Sequence, residues 1–412
     1  MRVLTLLLLA HAHAAEVGGY FRLAARPDLV GGAGRLGTSP MYGRLLNEGP
    51  WALLDLRQSL VEGAAGEPWG ALSLRVEGGS VGAGDPTNGS LLGFRITQLY
   101  MTAGNVGVPD VTFRVGTLET TFGDLWLFDA RPTQMLVDVL GASATWARGG
   151  SEVMVGLGDA GWSLHGARYH VVGSAGGSIR HRGDHGEIGI GGQAWFEPAD
   201  GAADGAQEEA HAWKVAGTVG FGDLGPVRWN RFQVILLRRL PDEPRVEVVD
   251  GEEVRIGVAR ETDQRHELLV GDEVELDVVP DHLEIAAAVL FEHRFDPDGD
   301  RPESPTNRTS ISGVLRAQVA LTPLFSLLGE TSLAREVMRG AAGDASPRKD
   351  TWQGKAGLVL SPAGPGLGDR PALRALYGAQ HCSLPNAWPG APAEGGDARW
   401  HHLVSLEAEA WF

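Results

Sequence analysis

Carboxylates and histidines set close together are the first residues that could do chemistry. Asp296-Pro297-Asp298-Gly299-Asp300 places carboxylates at alternate positions around a glycine turn, a spacing that suits calcium. The run lacks the twelfth-position Glu and the flanking helices of an EF-hand, so calcium is not assigned. His181, Asp184, His185 and Glu187 also stand together, but Arg180 and Arg182 add positive charge there, and a solvated hairpin turn is the expectation. No metal and no cofactor is assigned. The chain has no Gly-x-Ser-x-Gly elbow, no His-Glu-x-x-His and no phosphate loop, so it reads as a non-enzyme. Cys382 is the only cysteine, which excludes an intramolecular disulfide framework and any site built from several cysteines.

Composition indicates what scaffold carries the remaining polar and aromatic residues. The 412 residues include 59 glycines, one in seven, which works against long helices and favours many tight turns. Net charge is −17, and Lys214, Lys349 and Lys355 are the only lysines, so the basic footprint of a nucleic-acid partner is missing. Met1-Arg2 followed by an apolar stretch from Val3 to Ala10, then Ala12-His13-Ala14, predicts a secretory signal over 1–14. After residue 15 no run of about twenty apolar residues follows, so no transmembrane helix is expected. An exported chain of this kind is either soluble or a β-barrel in an outer membrane.

Alternation of residue types decides between them. From His402 to Phe412 one face carries Val404, Leu406, Ala408, Ala410 and Phe412, while the other carries Ser405, Glu407, Glu409 and Trp411. This is strand periodicity, with apolar residues toward lipid and polar ones toward a lumen. At the N-terminus Val17, Gly19, Phe21 and Leu23 share one face, and Tyr20 and Arg22 share the opposite, lumen face. The same device recurs in Ala52/Leu54/Leu56 against Trp51/Asp55/Arg57, and in Leu283 to Phe291 against Glu284 and Glu292. A tolerant count gives about 16–18 segments. Connections divide into short ones, such as Leu321-Thr322-Pro323-Leu324, and long polar ones, such as 26–50, 198–209 and 382–400. The fold expected is all-β: a transmembrane antiparallel β-barrel formed as one domain by residues 15–412, with short turns on one rim and long loops on the other.

Several of these segments resemble the maltoporin family of carbohydrate porins. Gly19-Tyr20-Phe21-Arg22 is similar to that family's opening strand, and Tyr42-Gly43-Arg44-Leu45-Leu46-Asn47-Glu48 leading to Trp51 is similar to the segment before its second strand. Leu99 to Val106 and Phe113 to Gly116 resemble the strand pair before the inward-folded third loop, and Glu409-Ala410-Trp411-Phe412 resembles the closing strand. The resemblance implies a constriction loop bearing Asp124 and Asp129, an aromatic slide of Tyr20, Trp51 and Trp411, and a polar track of Arg22 and Arg44. It also implies a homotrimer. Thr117 to Phe122 and Ala130-Arg131-Pro132 depart from the family pattern, so the constriction is expected to be lined differently.

An aromatic ladder suits sugars, because a pyranose has an apolar face that slides over indole or phenol while its hydroxyls exchange water for charged groups alongside. The reading is therefore an outer-membrane porin, seated in outer-membrane lipid, that passes maltodextrin-like oligosaccharides or other small hydrophilic solutes. Two alternatives stand beside it: a general, weakly cation-preferring diffusion porin, and a soluble secreted β-rich binding protein.

Overall fold

The computed structural model describes residues 15–37, 42–79, 94–128, 130–131, 133–161, 171–199, 209–238, 245–249, 252–256, 266–295, 307–338, 348–391 and 397–412. The 1–14 signal, Asp129 and the 296–300 loop lie outside the described residues. The strands are β1 (Glu16–Ala25), β2 (Trp51–Val61), β3 (Trp69–Gly79), β4 (Arg95–Gly104), β5 (Val111–Thr120) and β6 (Met135–Arg148). Next come β7 (Ser151–Asp159), β8 (Gly173–Arg182), β9 (Gly186–Glu197), β10 (Ala210–Leu224) and β11 (Val227–Arg238). A small hairpin, β12 (Arg245–Val249) and β13 (Glu252–Ile256), interrupts the wall. The wall resumes with β14 (His266–Val279), β15 (Leu283–Phe295), β16 (Arg308–Ala320), β17 (Phe325–Met338), β18 (Arg348–Leu360), β19 (Ala372–Cys382) and β20 (Trp400–Trp411).

Eighteen of these form one antiparallel sheet in which each strand pairs with its sequence neighbour and β1 pairs with β20, closing the barrel. Closure leaves no sheet edge with unpaired backbone groups, which is the condition for strands to stand in hydrocarbon. The count lies at the upper end of the expected 16–18. The described residues contain no helix long and apolar enough to cross a membrane.

The faces follow the sequence alternation. On β17, Phe325, Leu327 and Leu333 point outward and are exposed, whereas Ser326, Glu330, Ser332 and Glu336 point inward and are buried. Exposed Val115, Leu157, Leu315 and Leu406 continue the apolar outer wall around the barrel. Short connections such as 149–150, 225–226 and 321–324 join strands at one rim, and the long polar connections named above join them at the other.

The interior is not an open tube. The described parts of two connections on the long-loop rim, 26–37 with 42–50 and 121–128 with 130–131 and 133–134, fold into the lumen and pack together against one side of the wall. Leu36, Leu45 and Leu46 from the first, and Leu125, Leu127 and Phe128 from the second, form an apolar core with Ala286, Ala288, Leu290, Val314 and Leu328. The wall makes room where the second loop enters: a Cβ on Gly189 or Gly191 of β9 would stand 2.9 or 2.8 Å from the Phe122 ring. The sequence alternation predicted a lumen face of polar residues, and β15 departs from it with Ala286, Ala288 and Leu290 because loops, not water, cover that stretch.

Candidate functional site

Inside the barrel, a cavity of about 630 Å³ lies between the wall of β1–β5 and the infolded loop that follows β5. Tyr20, Arg22, Arg44, Trp51, Trp411 and Asp124 all line it, so six of the seven predicted site residues are gathered in one place. Trp126, Arg75, Arg95, Glu119, Arg131 and Gln134 join them.

Register positions the aromatics. Tyr20 on β1 is the cross-strand partner of Trp411 on β20, and their rings lie 5.3 Å apart at 30°. Two residues further along β1, Arg22 is paired with Trp51 at the start of β2. With a rise of about 3.3 Å per residue, Trp51 stands roughly 7 Å above the Tyr20–Trp411 pair. The three aromatics therefore form a stepped strip along one wall.

Buried Glu409 organises the charges beside that strip. Its Oε1 accepts from the Tyr20 hydroxyl at 2.9 Å and from Arg44 Nη2 at 3.2 Å. Its Oε2 pairs with Arg370 at 2.9 Å and Arg374 at 2.7 Å. The Arg370 guanidinium also sits 5.5 Å from the Trp411 ring centroid, so the indole is flanked by a phenol and a cation. Burial pulls Arg370 down to about 10, which leaves it charged at neutral pH.

Arg22 and Arg44 share buried Glu48, whose Oε2 lies 3.4 Å from Arg44 Nε, but Arg22 is the more deeply held of the two. It is buried, forms an ion pair with Glu48, and its Nε donates to the Gly49 carbonyl at 3.0 Å. Its polar atoms are thus occupied in holding the end of the 26–50 loop. Arg44 donates to the Tyr20 hydroxyl at 3.1 Å and remains at the cavity surface.

The facing loop is tied to the wall at three points. The Asp124 carboxylate and its own carbonyl both accept from Arg231 Nη1 at 3.1 Å, while Arg231 Nε pairs with Glu187 at 3.0 Å. Leu127 N donates to Glu273 Oε2 at 2.9 Å. The Trp126 ring lies 4.9 Å from the Arg316 guanidinium, which pairs with Glu330. Lys355 pairs with the same Glu330 at 2.6 Å and donates to the Tyr42 carbonyl at 3.0 Å, so both infolded loops hang on one buried triad. The loops also bind each other, Arg44 N donating to Leu127 O at 2.8 Å.

Sequence reasoning missed Glu409, Arg370, Trp126 and the side wall. Glu409 was visible as an inward position next to Trp411, yet nothing local distinguishes a hub from an ordinary lumen carboxylate. The Asp55–Arg75 pair, joined at 2.7 and 3.0 Å, is an inward cross-strand match on β2 and β3 that register alone could have found. Glu119 and Arg131 lie in the two stretches that depart from the maltoporin pattern, and both line the cavity. His181 on β8 instead bonds Ser151 at the short-turn rim, at 2.9 Å. No cluster of three or more potential metal ligands forms among the described residues.

No family profile matches the chain, and no curated protein matches it by sequence, so the likeness to maltoporins rests on the motifs alone. Solved structures do match it over nearly its whole length. OccAB1 of Acinetobacter baumannii is similar at 10% identity, with 97% of this chain and 96% of that one covered and a TM-score of 0.51. The outer-membrane channel DcaP of the same organism is similar at 12% identity, with 97% of each chain covered and a TM-score of 0.49. An anion-selective porin from Comamonas acidovorans is 14% identical over 97% of this chain and 99% of its own, with a TM-score of 0.43. At such identities the likeness is one of fold, and the fold is the closed antiparallel β-barrel of outer-membrane porins.

Proposed function

We propose that residues 15–412 act as an outer-membrane porin, delivered by the 1–14 signal, which passes small hydrophilic solutes and is fitted to sugars. The observation that carries this reading is the convergence of Tyr20, Trp51 and Trp411 with Arg44 on the lumen left open by the two infolded loops. Trp126 lines the same cavity from the loop and adds aromatic surface to it. Glu119, Asp124 and Arg131 offer hydroxyl partners alongside, and a cavity of about 630 Å³ is of a size that holds a small ligand. Passage requires each contact to stay weak. The residue roles follow: stacking for Tyr20, Trp51 and Trp411, hydroxyl bonding for Arg44, and constriction for Asp124 and for Asp129 on the same loop. For Arg22 the pairing with Glu48 supports a positioning role rather than contact with solute.

The test is single-channel conductance of refolded protein in a planar bilayer, titrated with maltodextrins of increasing length. Current blocked saturably by sugar supports a carbohydrate-selective porin. Channels indifferent to sugar retire the substrate and keep the channel, and a protein soluble without detergent that forms no channel returns the reading to a secreted binding protein. The homotrimer implied by the maltoporin resemblance is tested on the same material by unheated gel migration and light scattering.

A second reading, general diffusion, is favoured by one observation. Arg95 and Arg131 line the cavity with no ion-pair partner among the described residues, alongside Glu77, Glu119 and Asp124, and this near balance supports unselective transit of small ions rather than the cation preference expected from the chain's net charge.

A further inference from the structure

The outer wall of β15–β19 carries a groove of about 620 Å³ at its long-loop end, on the opposite side of the sheet from the channel. Its floor is Gly313, an outward position on β16 where a side chain would otherwise stand. A Cβ built there would meet nothing closer than the Ala288 carbonyl oxygen at 3.8 Å, so the hollow exists because the residue is glycine. Exposed Val289, Ile311, Leu333 and Trp352 form apolar sides. Trp352 is fixed by its indole N–H, which donates to Thr331 Oγ1 at 3.1 Å.

The upper lip is charged. Arg335 Nε pairs with Asp350 Oδ1 at 2.7 Å and Arg348 Nη2 with Asp350 Oδ2 at 2.6 Å, so one carboxylate aligns two guanidiniums, each about half exposed. The Asp350 N–H in turn is held by Ser383 Oγ at 2.8 Å, next to His381. Two cations share one anion, leaving an excess positive charge above an apolar hollow. On the described outward face of β15–β19, formal charge is confined to this lip. A wall that only met hydrocarbon would not need the aligned guanidiniums.

We propose that this groove binds an acylated amphiphile with a phosphate-bearing headgroup, drawn from the membrane leaflet on the long-loop side. Its chain lies over Gly313 against Leu333 and Trp352, and its phosphate meets Arg335 and Arg348. The site rests on the reading of the chain as a membrane barrel and is independent of what the channel passes.

Native mass spectrometry of the detergent-solubilised full chain tests it, with diphosphorylated lipid A as probe and phosphatidylcholine as competitor. Wild type is expected to retain the phosphorylated lipid selectively, and Arg335→Ala with Arg348→Ala to lose about tenfold in affinity. Gly313→Leu keeps the charges and fills the floor, so it should lose a similar factor. Unheated gel migration verifies that each variant is folded. Equal retention of the two lipids by wild type, or undiminished retention by both variants, overturns the site. So does a change of oligomeric state in Gly313→Leu, which would give the groove to a second copy of the chain. Conductance of the same preparations separates the two readings: conducting channels with unselective lipid retention defeat the groove alone, and selective retention without conductance defeats the channel alone.

Discussion

Tyr20 and Trp411 show how much a single pair of side chains depends on what lies behind it. Their rings could tilt freely on neighbouring strands, but Glu409 fixes the phenol through its hydroxyl and Arg370 faces the indole. If these faces carry sugar, Tyr20→Ala with Trp411→Ala removes stacking worth about 0.5–1.5 kcal/mol per ring and weakens sugar block by about five- to a hundredfold. Unchanged block in conductance titrations would sink the slide assignment. A second residue-scale prediction concerns stability. Arg316, Glu330 and Lys355 are almost wholly buried, so removing the shared anion strands two cations, whereas removing Lys355 leaves Glu330 its arginine. Glu330→Ala should cost more than about 3 kcal/mol, and more than Lys355→Ala, in urea unfolding followed in lipid. Equal costs would mean that the triad does not act as a unit.

The infolded loop bounds the cavity, and it is attached mainly by side chains rather than by sheet hydrogen bonds. Arg231 holds Asp124, Glu273 holds the Leu127 amide, and Arg316 lies against Trp126. Arg231→Ala combined with Glu273→Ala should therefore free the loop from two of its three ties and raise single-channel conductance, with larger current noise as the loop moves. Conductance equal to wild type would show that the apolar packing of Leu125, Leu127 and Phe128 suffices to hold it. The strands were legible because their information is local: Val404 to Phe412 and Val17 to Leu23 alternate strictly, and the observed register puts Tyr20 and Trp411 on the lumen side as that pattern requires. The loops were not, because what fixes them is distant in sequence. Leu127 and Glu273 are separated by 146 residues, and Tyr42 and Lys355 by 313. The third-loop infold was anticipated through the maltoporin motifs alone, and the inward packing of 26–50 was not anticipated at all.

On the scale of the whole molecule, closure and charge act together. The last strand closes the barrel by its ladder with β1, and beyond it the Phe412 N–H and carbonyl exchange hydrogen bonds with Gly19 at 3.0 and 2.9 Å. Closure makes the narrowest part of the lumen, rather than the total charge, decide which ions pass. The chain carries −17, which alone would favour cations. The cavity lining carries Arg22, Arg44, Arg75, Arg95 and Arg131 against Glu77, Glu119 and Asp124. Arg22, Arg44 and Arg75 are matched by Glu48, Glu409 and Asp55 behind them, so the groups facing a passing ion are close to balanced, with Arg95 and Arg131 unpaired among the described residues. The reversal potential across a potassium chloride gradient should accordingly show no marked cation preference. Arg95→Glu with Arg131→Glu should move it toward cations without changing heat-modifiable migration, because neither side chain ties a loop to the wall among the described residues. A strongly cation-selective wild type would mean that the current is governed by acidic loops at the rim and not by this constriction.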